Sequence, residues 1–123
     1  MKKNLLLIII AVSFLSSCTK KQTIAQFESE LLSIGIDSKG NLSQLIDKNT
    51  EINYLSADTI APLLSCRVDS VMYYPVGASY QEGKLTLKFD KGIEATLQVD
   101  ENATHINFEL ITISNIENID LVV

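Results

Sequence analysis

Lys84-Leu85-Thr86-Leu87-Lys88-Phe89-Asp90-Lys91-Gly92-Ile93-Glu94-Ala95-Thr96-Leu97-Gln98-Val99 reads as a hairpin in two alternating halves. Leu85, Leu87 and Phe89 fall on one face of the first half, and Lys84, Thr86 and Lys88 fall on the other, which is the period of two that extended backbone imposes. Ile93, Ala95, Leu97 and Val99 repeat the rule against Glu94, Thr96 and Gln98. Between the halves, Asp90-Lys91-Gly92 supplies a turn, with Gly92 able to take positive φ. Two strands that are each apolar on one face and polar on the other predict an antiparallel hairpin with one wet side.

Outward from this hairpin the same grammar continues. Asp100-Glu101-Asn102-Ala103 reads as the next reversal, and Thr104 to Ile113 as a third strand whose Ile106, Phe108 and Leu110 continue the inward face. Upstream, Leu31 to Asp37 and Leu42 to Ile46 flank a turn at Ser38-Lys39-Gly40-Asn41, and Asp47-Lys48-Asn49-Thr50 turns the chain toward Ile52-Asn53-Tyr54-Leu55. Tyr73-Tyr74-Pro75-Val76 is a further short extended piece, with Pro75 suited to an edge or a strand end. After the first 18 residues no window sustains a helical stripe, and turn signals recur about every eight to twelve residues, the spacing of a β-sandwich or barrel. The expected fold is all-β, an antiparallel β-sandwich. Ile119, Leu121, Val122 and Val123 read as a last strand with no polar tail behind it, so the expectation is a domain cut short at Val123.

The first residues follow different rules. Lys2 and Lys3 precede the apolar run Leu5 to Leu15, and small Ser16 and Ser17 lead directly to Cys18, the order of an exported chain's cleaved signal. About eleven residues of helix cover only about half of the roughly 30 Å hydrocarbon core, which argues against a permanent span. Cys18 resembles the lipobox cysteine of bacterial lipoproteins, whose thiol takes a diacylglyceryl group and becomes the new N-terminus. An ordinary secretory signal with a chance cysteine is the alternative. Two or three acyl chains would hold the mature protein to a membrane, because one chain alone is a marginal anchor. The expected organisation is a signal at residues 1–17, a lipidated tether at 18–26 and a β-sandwich at 27–123.

Composition narrows the partners. The 123 residues carry 10 basic and 15 acidic side chains, a net charge of −5, and loss of Lys2 and Lys3 with the signal makes the balance more acidic. Arg67 is the single arginine and the lysines after Lys21 are scattered, so no basic stripe exists to neutralise phosphates, and nucleic acid is not an expected partner. With Cys18 lipidated, Cys66 has no cysteine to pair with. It lies in Ala61-Pro62-Leu63-Leu64-Ser65-Cys66-Arg67-Val68, where a thiol is expected to behave as a small buried hydrophobe. A nucleophilic role would want a histidine, and His105 is the only one.

His105 is also the one side chain suited to acid–base work near neutrality; strand alternation would put it on the polar face with Asn107 and Glu109, where a plain solvated histidine is the competing reading. Asp100 and Glu101 form a carboxylate pair, placed here in a turn where acids serve solvation and backbone bonding. Tyr54, Tyr73, Tyr74 and Tyr80 could stack on sugars or pack the core. Tyr73 and Tyr74 must point to opposite faces of an extended segment, and Tyr73, Tyr80 and His105 are the candidates for ligand contact. There is no metal-ligand spacing and no glycine-rich phosphate loop, so no metal or cofactor is expected.

The run Ile36-Asp37-Ser38-Lys39-Gly40-Asn41-Leu42-Ser43-Gln44-Leu45-Ile46-Asp47-Lys48-Asn49-Thr50, followed by Asn53-Tyr54-Leu55 and Ala61-Pro62-Leu63-Leu64-Ser65, resembles the opening of the galactose-mutarotase-like supersandwich domain. Gly83 to Phe89 and Ile106 to Leu110 extend the resemblance over residues 30–123. Such domains stand at the N-terminus of many lipid-anchored bacterial glycoside hydrolases and polysaccharide lyases and are longer than this chain. The resemblance implies an incomplete supersandwich: a lipid-anchored accessory, carbohydrate-binding-like module of a carbohydrate-processing lipoprotein, held in the bacterial cell envelope at the outer membrane. Catalysis would belong to a further C-terminal domain, since no family catalytic residue maps onto this chain. The alternative from another class is a complete small envelope lipoprotein with a structural or protein-binding role.

Overall fold

The computed structural model describes residues 21–115, 117 and 119–123. The signal segment and Cys18 lie outside the described residues. Eleven strands follow one another among the described residues: β1 (Thr23–Glu28), β2 (Leu32–Asp37), β3 (Leu42–Asp47), β4 (Ile52–Asn53), β5 (Cys66–Val68), β6 (Val71–Tyr73), β7 (Gly77–Gln81), β8 (Lys84–Lys88), β9 (Glu94–Glu101), β10 (Ile106–Ile113) and β11 (Ile119–Val122). A 3₁₀ turn, Asp90–Gly92, stands where the sequence places the central hairpin turn, with Lys91 at φ 62° and Gly92 at φ 68°.

The strands form three antiparallel sheets, in the orders β1-β2-β3-β4, β10-β9-β8-β7 and β11-β5-β6. Their apolar faces meet in one core. Ala25, Phe27 and Ile36 come from the first sheet, Leu85, Leu87, Ala95, Leu97 and Val99 from the second, and Cys66 and Val68 from the third. The fold is therefore all-β and sandwich-like, and the alternation of Leu85-Leu87 against Ala95-Leu97-Val99 is the pattern of burial observed. Phe27 is fully buried, and its ring meets Tyr80 of β7 at 5.0 Å and Phe108 of β10 at 5.5 Å, both edge-on. Because β7 and β10 are the two edges of their sheet, Phe27 touches both of its margins.

Local chemistry closes each hairpin of the first sheet. Ser29 Oγ accepts from the amides of Leu31 (3.3 Å) and Leu32 (3.1 Å), Asp37 Oδ1 from Lys39 and Asn41 (both 2.9 Å), and Asp47 Oδ1 from Asn49 (2.8 Å). Side-chain acceptors of this kind satisfy turn amides that the strand ladder leaves unpaired. The β2–β3 loop also ties the first sheet to the second and to the segments that precede β5 and follow β6. Gly40 sits at φ +89°, and a Cβ there would lie 2.9 Å from both Leu87 Cδ2 and Pro75 Cβ. In the same loop Ser38 O accepts from Ala78 N (2.9 Å), and Gly40 O from Leu63 N (3.1 Å).

Three expectations are corrected. Strand β1 begins at Thr23, so residues 23–26, read as tether, already carry strand pairing and the buried Ala25. Asp100 and Glu101 are the last residues of β9 and not turn residues; Glu101 Oε2 accepts from Glu28 N at 2.7 Å and pins β1 to the second sheet. Leu110 keeps its place opposite the buried Leu97 but is 40% exposed on the edge strand β10, and the pairing shifts directly after it. The apolar doublet Leu110-Ile111 breaks the period of two, and a bulge absorbs the extra residue, returning Ile113 to the core side.

Leu87→Ala removes a fully buried side chain from the centre of this core, and should lower unfolding free energy by about 2–5 kcal/mol in a denaturant titration.

Candidate functional site

Alternation that fills the core leaves the opposite face of the second sheet polar, and its register arranges that face in rows. Ser79 pairs with Thr86, Thr86 with Thr96, and Thr96 with Thr112, so four hydroxyl residues form one line across all four strands. The bulge in β10 is what brings Thr112 into this line and sets Ile111 beside it. The next row runs Gln81, Lys84, Gln98 and Glu109.

A concavity of about 440 Å³ lies over these rows, lined by the hydroxyl line together with Gln81, Lys84, Glu82 and Ile111. Glu82 and Gly83 form the two-residue β7–β8 turn, at φ 53° and 78°, the left-handed pairing that suits a tight hairpin. Among the described residues, the lining side chains make no hydrogen bond or ion pair with one another or with the rest of the chain. The outer face of the first sheet differs. There Thr23 Oγ1 meets Ser43 Oγ at 2.7 Å, and Gln26 Nε2 and Gln44 Nε2 each donate to Ser33 Oγ at 3.2 Å. That face satisfies itself, whereas the trough presents donors and acceptors to solvent.

The residues singled out from sequence take separate partners. Tyr73 is half-buried at the end of β6, with Lys91 Nζ 5.1 Å from its ring centroid. Hydrogen bonding to the Tyr73 hydroxyl, and then its charge, raise the Lys91 pKa above the ordinary value. Tyr80 turns its ring onto Phe27. His105 lies in the β9–β10 turn, where Nε2 meets Asn102 Nδ2 at 3.2 Å and Nδ1 meets Thr104 Oγ1 at 3.1 Å. These bonds are to its own turn, and the Glu109–His105 cluster considered from alternation does not form among them. Glu109 instead stands in the row with Gln98. Cys66 is buried at 0% exposure, and burial raises its thiol pKa. Among the described residues no three His, Cys, Asp or Glu side chains gather as metal ligands.

The trough itself was not singled out from sequence. Its outward residues were visible in the alternation, but the single line of hydroxyls depends on strand register and on the β10 bulge. Comparison with protein-family models, with curated proteins and with solved structures gives no match.

Burial of the Cys66 thiol gives a direct readout. The thiol should resist iodoacetamide at pH 8 in the native protein and react within minutes once unfolded, as followed by mass; rapid native labelling would contradict the packing.

Proposed function

We propose that this chain is a lipid-anchored, non-catalytic β-sandwich module of the bacterial cell envelope, held at the outer membrane through Cys18, which serves a carbohydrate-processing lipoprotein by contacting its glycan. The observation that carries the anchor is the order Lys2-Lys3, Leu5 to Leu15, Ser16-Ser17, Cys18. Strand β1 starts at Thr23, so lipid on Cys18 would hold the sandwich close to the membrane surface.

The glycan half of the reading is supported by the trough. Sugars present hydroxyls that both donate and accept, and Ser and Thr hydroxyls, a Gln amide, a carboxylate and an ammonium are suited to meet them. Non-catalytic action is supported by the separation of the reactive side chains. His105 is tied to Asn102 and Thr104, and Cys66 is buried, so neither stands beside the other as base and nucleophile. The resemblance to the supersandwich domains of lipid-anchored polysaccharide-degrading enzymes points to the same role. Catalysis on this reading belongs to a partner domain.

The anchor is tested by growing cells with a clickable fatty acid. The wild-type chain should take up label and sediment with membranes, and Cys18→Ser should lose both; a Cys18→Ser chain that stays labelled would contradict the proposal.

A further inference from the structure

We infer that the trough on the second sheet is a binding site for an uncharged oligosaccharide, which lies across the strands along the line Ser79, Thr86, Thr96 and Thr112. The inference rests on the accessory-module reading and deepens it by naming the site and the ligand class.

Register supplies the first argument. With strands about 4.8 Å apart, four residues opposite one another span roughly 14 Å, the scale of a short sugar chain and not of one small ion. The row is straight in register because each member is the direct pairing partner of the next. A ligand with hydroxyls repeating along its length can therefore meet successive strands in turn.

The second argument is the unbonded state of the lining. The outer face of the first sheet has the same residue types, but its amides and hydroxyls satisfy one another. In the trough Thr86 and Thr96 are half-buried between their neighbours and still bond to no other side chain among the described residues. Hydroxyls that solvent reaches and no protein group engages are free to bond water or a ligand.

Charge separates neutral from anionic ligands. Among the described residues Lys84 is the one cation lining the trough, and Glu82 lines it too. Glu109 shares the row of Lys84, and Glu94 pairs with Lys88 in the row on the other side of the hydroxyls. Each lysine on this face is thus matched by an acid, and a polyanion would meet no net attraction. Apolar ligands are disfavoured as well, since Ile111 is the only large apolar side chain in the lining among the described residues. Ile111 can instead pack against the C–H face of a sugar ring.

The test is titration of the full chain in detergent with three probes: a neutral glucan hexasaccharide, a uronate hexasaccharide and inorganic phosphate, followed by calorimetry. The expected result is binding of the neutral oligosaccharide alone, with affinity lowered at least tenfold in Thr86→Val/Thr96→Val, which keeps the β-branched shape and removes both hydroxyls. Circular dichroism and melting temperature near wild type separate lost contacts from lost fold. If that pair unfolds, Gln81→Ala with Lys84→Met at the exposed margin provides the same readout. Preference for uronate or phosphate overturns the ligand class. Glycan binding unchanged by both variants overturns the site while leaving the accessory reading intact. Absence of binding to any probe overturns the inference, and the fatty-acid labelling of Cys18 then judges the anchor separately.

Discussion

The fold depends on removing Phe27 from water between two sheets that each have only one apolar face. Burying such a ring contributes on the order of 2–3 kcal/mol through area alone, and its edge-on contacts with Tyr80 and Phe108 join β1 to both margins of the second sheet. The bond from Glu28 N to Glu101 and that from Glu30 N to Ala103 O fasten the same end of β1. Ion pairs add little here: Lys48–Glu28 at 3.5 Å is well exposed, and Arg67–Asp120 is long at 3.7 Å, with the buried Arg67 Nε making no hydrogen bond among the described residues. Hydrophobic burial and backbone pairing carry the structure.

That constraint also makes the outer face. Once Leu85, Leu87, Ala95 and Leu97 point inward, Thr86, Thr96, Lys84 and Gln98 have no direction left but outward. The bulge at Leu110-Ile111 is where core and surface demands meet: it returns Ile113 to the apolar cluster and moves Thr112 into the hydroxyl line. A strand without the bulge would keep strict alternation and turn Thr112 inward. The trough is thus a by-product of packing in its position, but not in its composition, because a solvated face does not require four hydroxyl residues in one row.

Much of this was legible in the sequence, for identifiable reasons. The hairpin from Lys84 to Val99 follows period two in both strands, and Gly92 takes the positive φ read for it, while Lys91 takes one that its side chain does not signal. The loop at Ser38 to Asn41 and the last strand were readable from the same signals. What escaped were features that depend on partners distant in sequence. Thr23 to Gln26 look polar and aperiodic, yet they form a strand because β2 offers them an edge and Ala25 finds the core. Glu101 looked like a turn acid because its acceptor role depends on Glu28, which is far away in the chain. His105 looked available to Glu109, but its own turn holds it. The doublet Leu110-Ile111 is a readable bulge signal, since two successive apolar residues cannot share one face of a regular strand.

Native-state hydrogen exchange tests most directly whether Phe27 makes the two sheets one cooperative unit. The best-protected amides of β2, β8 and β9 should exchange with a common free energy equal to that of global unfolding, and Phe27→Ala should lower all three together by about 3–5 kcal/mol. Exchange of β2 by a separate, lower-energy opening, with β8 and β9 unchanged in Phe27→Ala, would contradict it.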